Sequence, residues 1–345
     1  MLAFLRRSAI ALAWAYPAGL LLVLLAFRWL GEDWWVTAAT LYLPRLGFGL
    51  PLLVLLPAVL LLRAFRVLWA LGLAAILLAW PLMGFSLSLS WPRPRREPTT
   101  FRVLSLNADS CAFGSATVAA AILEYEPDLV LLQEVHSGRD QLEAALRGHY
   151  PSVHASTQFI AASRFPILET SDPDQHAILG PERSARYMRY LLDTPLGRIT
   201  AFNIHPASPR AGLNEIRGPG GFRHELRSGR AFSRHAAPEV AALAKLRRDE
   251  VAAVVRDAAD ERNAVVIAGD SNLPTLSKIA AVHFAEYQDG FSTVGFGFGY
   301  TYPARLPWMR IDRILASPGL RFTNFDVGCR GASDHLCVVA DLSRR

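Results

Sequence analysis

Cysteine is scarce in this sequence: three in 345 residues, Cys111, Cys329 and Cys337. No two share the C-x-x-C spacing, and no His/Cys cluster has the spacing of a zinc site, which argues against a zinc module. Cys337 lies in an apolar run, Leu336 to Ala340, and reads as a buried core thiol; a Cys111–Cys329 disulfide cannot be argued from sequence. Lysine is scarcer still. Only Lys245 and Lys278 occur, although the net charge is +6, so nearly all the positive charge is arginine. Such an excess suits nucleic acid or an anionic surface as partner, and equally a base-composition bias that favours arginine. Internal repeats are absent.

Charge is missing altogether from Ser8–Phe27, about 20 residues and enough to cross a bilayer core. Two more apolar runs follow. Leu41–Leu62 is interrupted by Arg45, Pro44, Pro51 and Pro57, and Val67–Leu89 has Pro81 near its end. Arg6 and Arg7 before the first run resemble the start of a signal peptide, but two further runs and no small-residue cleavage site after Phe27 argue for a retained anchor. The expected organisation is about three transmembrane helices in residues 1–90, a short Pro-rich linker at 91–100, and one domain of about 250 residues, 101–345, large enough to bury a core without disulfide staples.

Orientation rests on the arginines. With the N-terminus inside, Arg6, Arg7, Arg63 and Arg66 are cytoplasmic. The loop carrying Glu32, Asp33 and aromatic Trp29, Trp34, Trp35 and Tyr42 is then outside. Three spans put the C-terminal domain outside the cell membrane; Arg93, Arg95 and Arg96 after the third span oppose this.

Beyond residue 100, short apolar strands alternate with helices. Phe101–Leu106, Asp128–Val135, Gln158–Ser163, Tyr187–Asp193, Arg198–His205, Ala264–Ala268, Ile311–Ala316, Arg321–Val327 and Leu336–Asp341 read as strands. Ser115–Tyr125, Gln141–Leu146 and Pro238–Asp260 read as helices. This mixture predicts an α/β sandwich, two sheets with helices outside.

Six strand ends carry polar residues that apolar packing does not choose: Asn107, Glu134, His205, Asp270 with Asn272, Asp312, and Asp334 with His335. One emerging carboxylate is most simply a strand reaching water. Several at strand ends predict a shared site, since converging carboxylates repel unless a cation neutralises them. A hard cation such as Mg²⁺ takes oxygen ligands and one or two protein carboxylates. In Val265–Asn272 (VVIAGDSN), Gly269 permits a tight turn before a carboxylate and an amide, though an Asx turn bonding only its own backbone gives the same pattern. A His beside an Asp, as in Ser333–His335, can be held in one tautomer or kept charged.

These pieces, in chain order, carry a resemblance. They are the N-x-D of Asn107–Asp109, Gln133–Glu134, the NIHP of Asn203–Pro206, the GDSN of Gly269–Asn272, the IDRI of Ile311–Ile314 and the SDH of Ser333–His335. Phe101–Arg345 resembles the endonuclease/exonuclease/phosphatase (DNase I-like) superfamily. With the N-terminal spans and Gly295–Leu315 it is similar to the bacterial integral-membrane branch that includes teicoplanin-resistance membrane phosphatases.

The resemblance implies a four-layer α/β sandwich and in-line attack of water on phosphorus. It implies Glu134 as principal Mg²⁺ ligand (Mn²⁺ as substitute) with Asn107 nearby, Asp270 orienting the water, Asn272 on a phosphate oxygen, and Asp312 and Asp334 supporting metal and His335. His335 and His205 would contact phosphate. Where the family often has His after the Asp of its IDH motif, this chain has Arg313, which cannot act as a base near neutral pH and is left out of the set.

Two activities fit: hydrolysis of a lipid-linked phosphate or pyrophosphate at the bilayer, or an extracytoplasmic nuclease acting on DNA or RNA. The nuclease reading is motivated by the Arg-rich stretch Arg210–Arg234, with Arg217, Arg223, Arg227, Arg230 and Arg234; a solvated loop gives the same pattern, and only Phe222 and Phe232 offer stacking there. A degenerate, non-enzymatic binding module is disfavoured because every core motif is intact.

Overall fold

The computed structural model describes residues 1–88, 100–172, 186–217 and 237–345. Most of the linker 91–100, His176, and Arg223, Arg227, Arg230 and Arg234 with Phe222 and Phe232 lie outside the described residues.

After a two-residue strand β1 (Ser86–Leu87), the strands are β2 (Phe101–Asn107), β3 (Leu129–Gln133), β4 (Ser152–Ser156), β5 (Phe159–Ser163), β6 (Ile167–Ser171), β7 (Tyr187–Thr194) and β8 (Gly197–Ile204). They continue with β9 (Ala264–Asp270), β10 (Gln288–Asp289), β11 (Phe296–Gly297), β12 (Asp312–Ala316), β13 (Leu320–Gly328) and β14 (Cys337–Arg344). One six-stranded sheet has the order β13-β14-β2-β3-β5-β4 and the other β10-β12-β9-β8-β7-β6. β2–β3 and β8–β9 are parallel; the other pairs are antiparallel.

The central strands are apolar on both faces because both faces are covered. Val103, Leu129, Phe159, Tyr190, Ile199, Val266, Ile314 and Val338 fill the space between the sheets. Leu104, Leu106, Val130 and Leu132 face the helices Ser115–Leu123 and Arg139–Arg147 through Val118, Ile122, Leu142 and Leu146. Phe202, Ile204, Val265 and Ile267 face the helix Ala237–Ala259 through Val251, Val254 and Ala258. Helix, sheet, sheet and helix make the expected four layers. Cys337 is buried as expected but is not a thiol: it forms a disulfide with Cys329, joining β14 to the end of β13, where Gly328 pairs with Cys337. Cys111 is free and buried.

The N-terminal unit departs from three equal spans. Leu2–Trp29 and Phe65–Leu82 are long and apolar enough to cross a membrane. The middle run, Leu41–Leu62, is helical only over Arg45–Leu61, shorter than the other two; a separate short helix, Trp35–Thr40, precedes it and the chain turns between them. Pro44 explains the break, since a residue before proline is pushed out of helical conformation. Arg45 is buried and donates to the Leu82 and Leu41 carbonyls.

This unit is docked on the sandwich. Glu32, which is buried, accepts from the Ser277 hydroxyl and from Lys278 N at 2.9 Å, at the start of the helix Lys278–His283. A carboxylate at a helix N-terminus satisfies donors that have no intrahelical partner. Asp33 pairs with Lys278 (2.6 Å) and Arg248. Leu20, Phe27, Tyr42 and Leu82 share one apolar cluster with Met309 and Ile311 of the sandwich.

Candidate active site

Strand register brings the polar ends together. β2 and β3 run parallel with Asn107 opposite Gln133, so Asn107 and Glu134 leave the sheet at one edge. β9 runs antiparallel to β12, with Asp270 opposite Asp312. β14 runs antiparallel to β2, which puts its start, just after His335, beside the end of β2. Gly269 is required where β9 leaves β8: a Cβ there would sit 2.0 Å from the Ile204 carbonyl oxygen. Glu134 (φ 52°) and Asn272 (φ 51°) both hold left-handed backbone, a conformation that costs non-glycine residues about 1–3 kcal/mol and that clusters at functional sites.

All eight expected residues converge. Asn107 Nδ2 donates to Glu134 Oε1 (3.0 Å) and to Asp270 Oδ2 across the sheets (3.2 Å), while its Oδ1 accepts from Asp109 N (3.0 Å). His205 Nε2 lies 3.1 Å from Glu134 Oε1, without the angle of a hydrogen bond, and 3.8 Å from Asp270 Oδ2. His335 Nδ1 is 3.0 Å from Asp312 Oδ2, which turns Nε2 toward Asp270 and Asp334, at 3.8 and 3.9 Å. Asn272 N donates to Asp270 Oδ1 (2.9 Å), the Asx turn foreseen as the bland reading, and Asn272 Nδ2 donates to the Pro206 carbonyl (2.9 Å). Asp270 nonetheless keeps its second oxygen in the cluster.

Electrostatics follow from this crowding. Burial pushes the Glu134 carboxyl up, but His205, Asn107 and His335 outweigh it and hold it at about 2. Asp270 is raised, by burial first and by the neighbouring Asp312. Burial works against a charged His335, yet Asp312 and Asp270 raise it to about 10, so the ring is protonated at neutral pH.

Further residues complete the site; of these, Arg210 opens the Arg-rich stretch and Asn203 belongs to the NIHP motif, while Gln158, Tyr302 and Tyr42 do not stand out as site residues in the sequence. Gln158 Oε1 meets His205 Nδ1 at 2.6 Å. The Tyr302 ring packs on His335 with centroids 4.6 Å apart. Arg210 Nη2 lies 3.2 Å from Asp334 and 3.3 Å from the Tyr302 hydroxyl. Tyr42, from the N-terminal unit, donates its hydroxyl to the Asn272 carbonyl at 2.8 Å. Its own carbonyl accepts from Trp308 Nε1 (3.4 Å). Asn203 of the NIHP motif is a clamp beneath the site: it is fully buried and accepts from Gln133 Nε2 across the sheets at 2.6 Å.

Arg313 lies outside the site. Asp289 accepts from its Nη1 (2.6 Å), while its Nη2 donates to the Leu273 and Pro274 carbonyls just after Asn272 (3.0 and 3.3 Å).

The donor set fits a divalent cation. Glu134, His205 and Asp270 bring ligand atoms within 4.8 Å of one another; Asp270, Asp312 and His335 are as close, but His335, protonated, is no ligand there. Glu134 is a quarter exposed (24%) and lines a cavity of about 180 Å³, leaving room for a hydrated ion. Asn107 reaches this point through its amide nitrogen and so orients Glu134.

No curated protein matches the chain. Solved structures with a similar fold include an endonuclease/exonuclease/phosphatase from Beutenbergia cavernae (18% identity, TM-score 0.49, 72% of this chain and 72% of that one). They also include SmcL (12% identity, TM-score 0.51, 71% and 99%) and D. rerio TDP2 complexed with a single-strand DNA product (17%, 0.47, 71% and 99%). At this identity SmcL speaks to the fold alone. The Endonuclease/Exonuclease/phosphatase family matches residues 99–335, which takes in every strand of both six-stranded sheets except β14, and all eight expected site residues. The chain therefore belongs to the endonuclease/exonuclease/phosphatase family, the metal-dependent hydrolases of phosphoester bonds.

Proposed function

We propose that this protein is a membrane-anchored, Mg²⁺-dependent phosphoesterase that removes phosphate or pyrophosphate from a lipid-linked substrate. The make-up of the site cavity carries this reading. Glu134, Asp270, Asn272 and His335 line it together with Tyr42, Leu213, Trp308 and Met309. The polar part suits a phosphoryl group and the apolar part a hydrocarbon chain, and Tyr42 belongs to the unit that carries the two membrane-length helices.

Glu134 holds the ion, Mg²⁺ or Mn²⁺, which when bound supplies positive charge against the phosphoryl oxygens. Asp270, whose second oxygen stays in the cluster, orients a water in line with the scissile bond. His335, held protonated by Asp312, donates to a phosphoryl oxygen, Arg210 lines the same cavity, and His205 stands behind Glu134, 3.1 Å from its Oε1. Asp334 pairs with Arg210 and sets its position. Asn272 keeps the loop in place through Pro206 and Tyr42. These groups act by positioning and by meeting charge as it develops.

The orientation with the domain outside is supported by the Cys329–Cys337 disulfide, since disulfides persist in oxidising compartments. A C-terminal alkaline phosphatase fusion is expected to be active; an inactive one, with a cytoplasmic fluorescent fusion that is bright, would reverse the topology. The decisive assay is a substrate panel with detergent-purified protein: a polyprenyl pyrophosphate, phospholipid, sphingomyelin and plasmid DNA, each with and without Mg²⁺. Turnover confined to a lipid-linked substrate supports the reading. Turnover confined to DNA replaces it with the nuclease.

A further inference from the structure

We propose that the N-terminal unit carries, at the end far from the catalytic site, a binding site for the phosphate headgroup of an anionic membrane lipid. It rests on the anchored reading above but not on the hydrolysis. A cavity of about 720 Å³ is lined by Arg6, Ile10 and Trp14 of the first helix and by Arg63, Phe65 and Arg66 of the turn before Leu68–Leu77. Three guanidiniums thus border one space.

Nothing in the unit neutralises them. Residues 1–88 contain two acids, Glu32 and Asp33. Both are committed to Ser277, Lys278 and Arg248 of the sandwich. Arg6 and Glu32 stand at opposite ends of the first helix, Leu2–Trp29, so about 35 Å separates them at 1.5 Å per residue. That is about the thickness of a bilayer's hydrocarbon core. Among the described residues no carboxylate pairs with Arg6, Arg63 or Arg66, and all three are exposed.

The backbone adds an independent sign. Leu50–Leu61 ends at Leu62, and Arg63 then takes left-handed backbone at φ 51°, with Ala64 N bonded to the Val59 carbonyl (2.9 Å). Glycine is the usual residue at that position, because a Cβ is disfavoured there. The chain instead spends strain to set a guanidinium beside Arg66 and Arg6.

Unpaired cations at a membrane boundary repel one another more strongly than in water. A phosphodiester headgroup resolves this, because a guanidinium fork bonds two phosphate oxygens at once. Trp14 and Phe65 suit the headgroup level, and Ile10 faces the first acyl carbons. Basic pockets between helices on the cytoplasmic side take this kind of ligand.

The test uses the full-length Glu134→Ala protein in detergent, so that no substrate is consumed. Melting temperature and lipid retained in native mass spectrometry are measured with added phosphatidylglycerol, phosphatidylcholine or inorganic phosphate. Phosphatidylglycerol alone should stabilise and be retained. Arg63→Gly with Arg66→Gln should weaken its apparent affinity roughly 10–50-fold, the usual contribution of two basic residues at an anionic surface. Arg63→Gly relieves strain, so loss of binding cannot be laid to misfolding. Arg28→Gln, which removes one positive charge at the other end of the same helix, should change nothing. Equal response to phosphatidylcholine, response to inorganic phosphate alone, or full affinity in the double variant overturns the inference. A chain found soluble in cell extracts overturns it together with the anchored reading, whereas a membrane-bound chain indifferent to lipid charge overturns it alone.

Discussion

Asp312 and Arg313 are neighbours on one strand and belong to opposite kinds of charge cluster. Asp312 faces inward to His335, where Glu134, Asp270 and Asp334 gather against two histidines and Arg210. Arg313 faces the other side, where one carboxylate, Asp289, is shared by Arg313 and Arg310 (2.7–2.8 Å to Nη1 of Arg310). The second cluster also borders a cavity, of about 350 Å³, but its cations outnumber its carboxylate, and its charges meet each other and the Leu273 and Pro274 carbonyls. The first is open to a cavity and carries more carboxylates than cations. A protein leaves buried negative charge in excess where a cation or a reacting phosphate group will meet it, and pairs charge internally where the task is to hold a loop.

Substitutions in the two clusters should therefore part company. The largest effect is expected at Glu134. Glu134→Ala, or EDTA on the wild type, should lower hydrolysis by about 10³-fold or more. The variant should stay folded with at most a modest loss of melting temperature, since Asn107 and His205 lose the carboxylate they hold charged. Unchanged turnover in EDTA would end the metal mechanism.

Asp289→Asn should behave inversely, costing about 3 kcal/mol of stability by leaving two buried guanidiniums without their anion. Urea unfolding checks this. The paired arginines outweigh burial and hold the Asp289 carboxyl well below the usual range. Its stabilisation is therefore complete above the unfolded carboxylate pKa of about 3.9 and is lost as pH falls below that toward the folded value. Wild type should lose melting temperature more steeply than Asp289→Asn between pH 5 and 2; parallel curves would show that the pair contributes nothing.

His335→Gln is expected to reduce turnover about 10²-fold with little change in stability. His149, exposed on the surface, should tolerate alanine with full activity. Equal losses at both would remove the distinction between site and surface.

The smallest effect tests whether the N-terminal unit belongs to the site. Tyr42→Phe deletes one hydrogen bond, worth about 1 kcal/mol, to the Asn272 carbonyl, and should lower kcat about fivefold while leaving Mn²⁺ affinity at Glu134 intact. An unaltered kcat would make Tyr42 a packing residue only.

Much of the sandwich is legible in the chain because a central strand covered on both faces is a continuous apolar run, and all the central strands were foreseen from such runs. The strands that escaped are β1, β4, β6, β10 and β11, and each lies at a sheet edge. An edge strand such as SVHAS or ILETS is half-buried or exposed, so it carries no apolar run to read. The eight site residues were legible for the same reason inverted: each is a polar interruption where an apolar run ends.

What the sequence determined by itself is local, namely where strands begin and end, which polar groups stand at their ends, and the order of motifs that marks the family. The tertiary structure alone decided the Cys329–Cys337 pairing, the use of Arg313 on Asp289, the shortening of the middle apolar helix, and the contacts of Glu32 with Ser277 and of Tyr42 with Asn272. The physical reason is distance along the chain. Tyr42 and Asn272 are 230 residues apart, and no local preference of either residue encodes a hydrogen bond that exists only after both sheets and the N-terminal helices have packed.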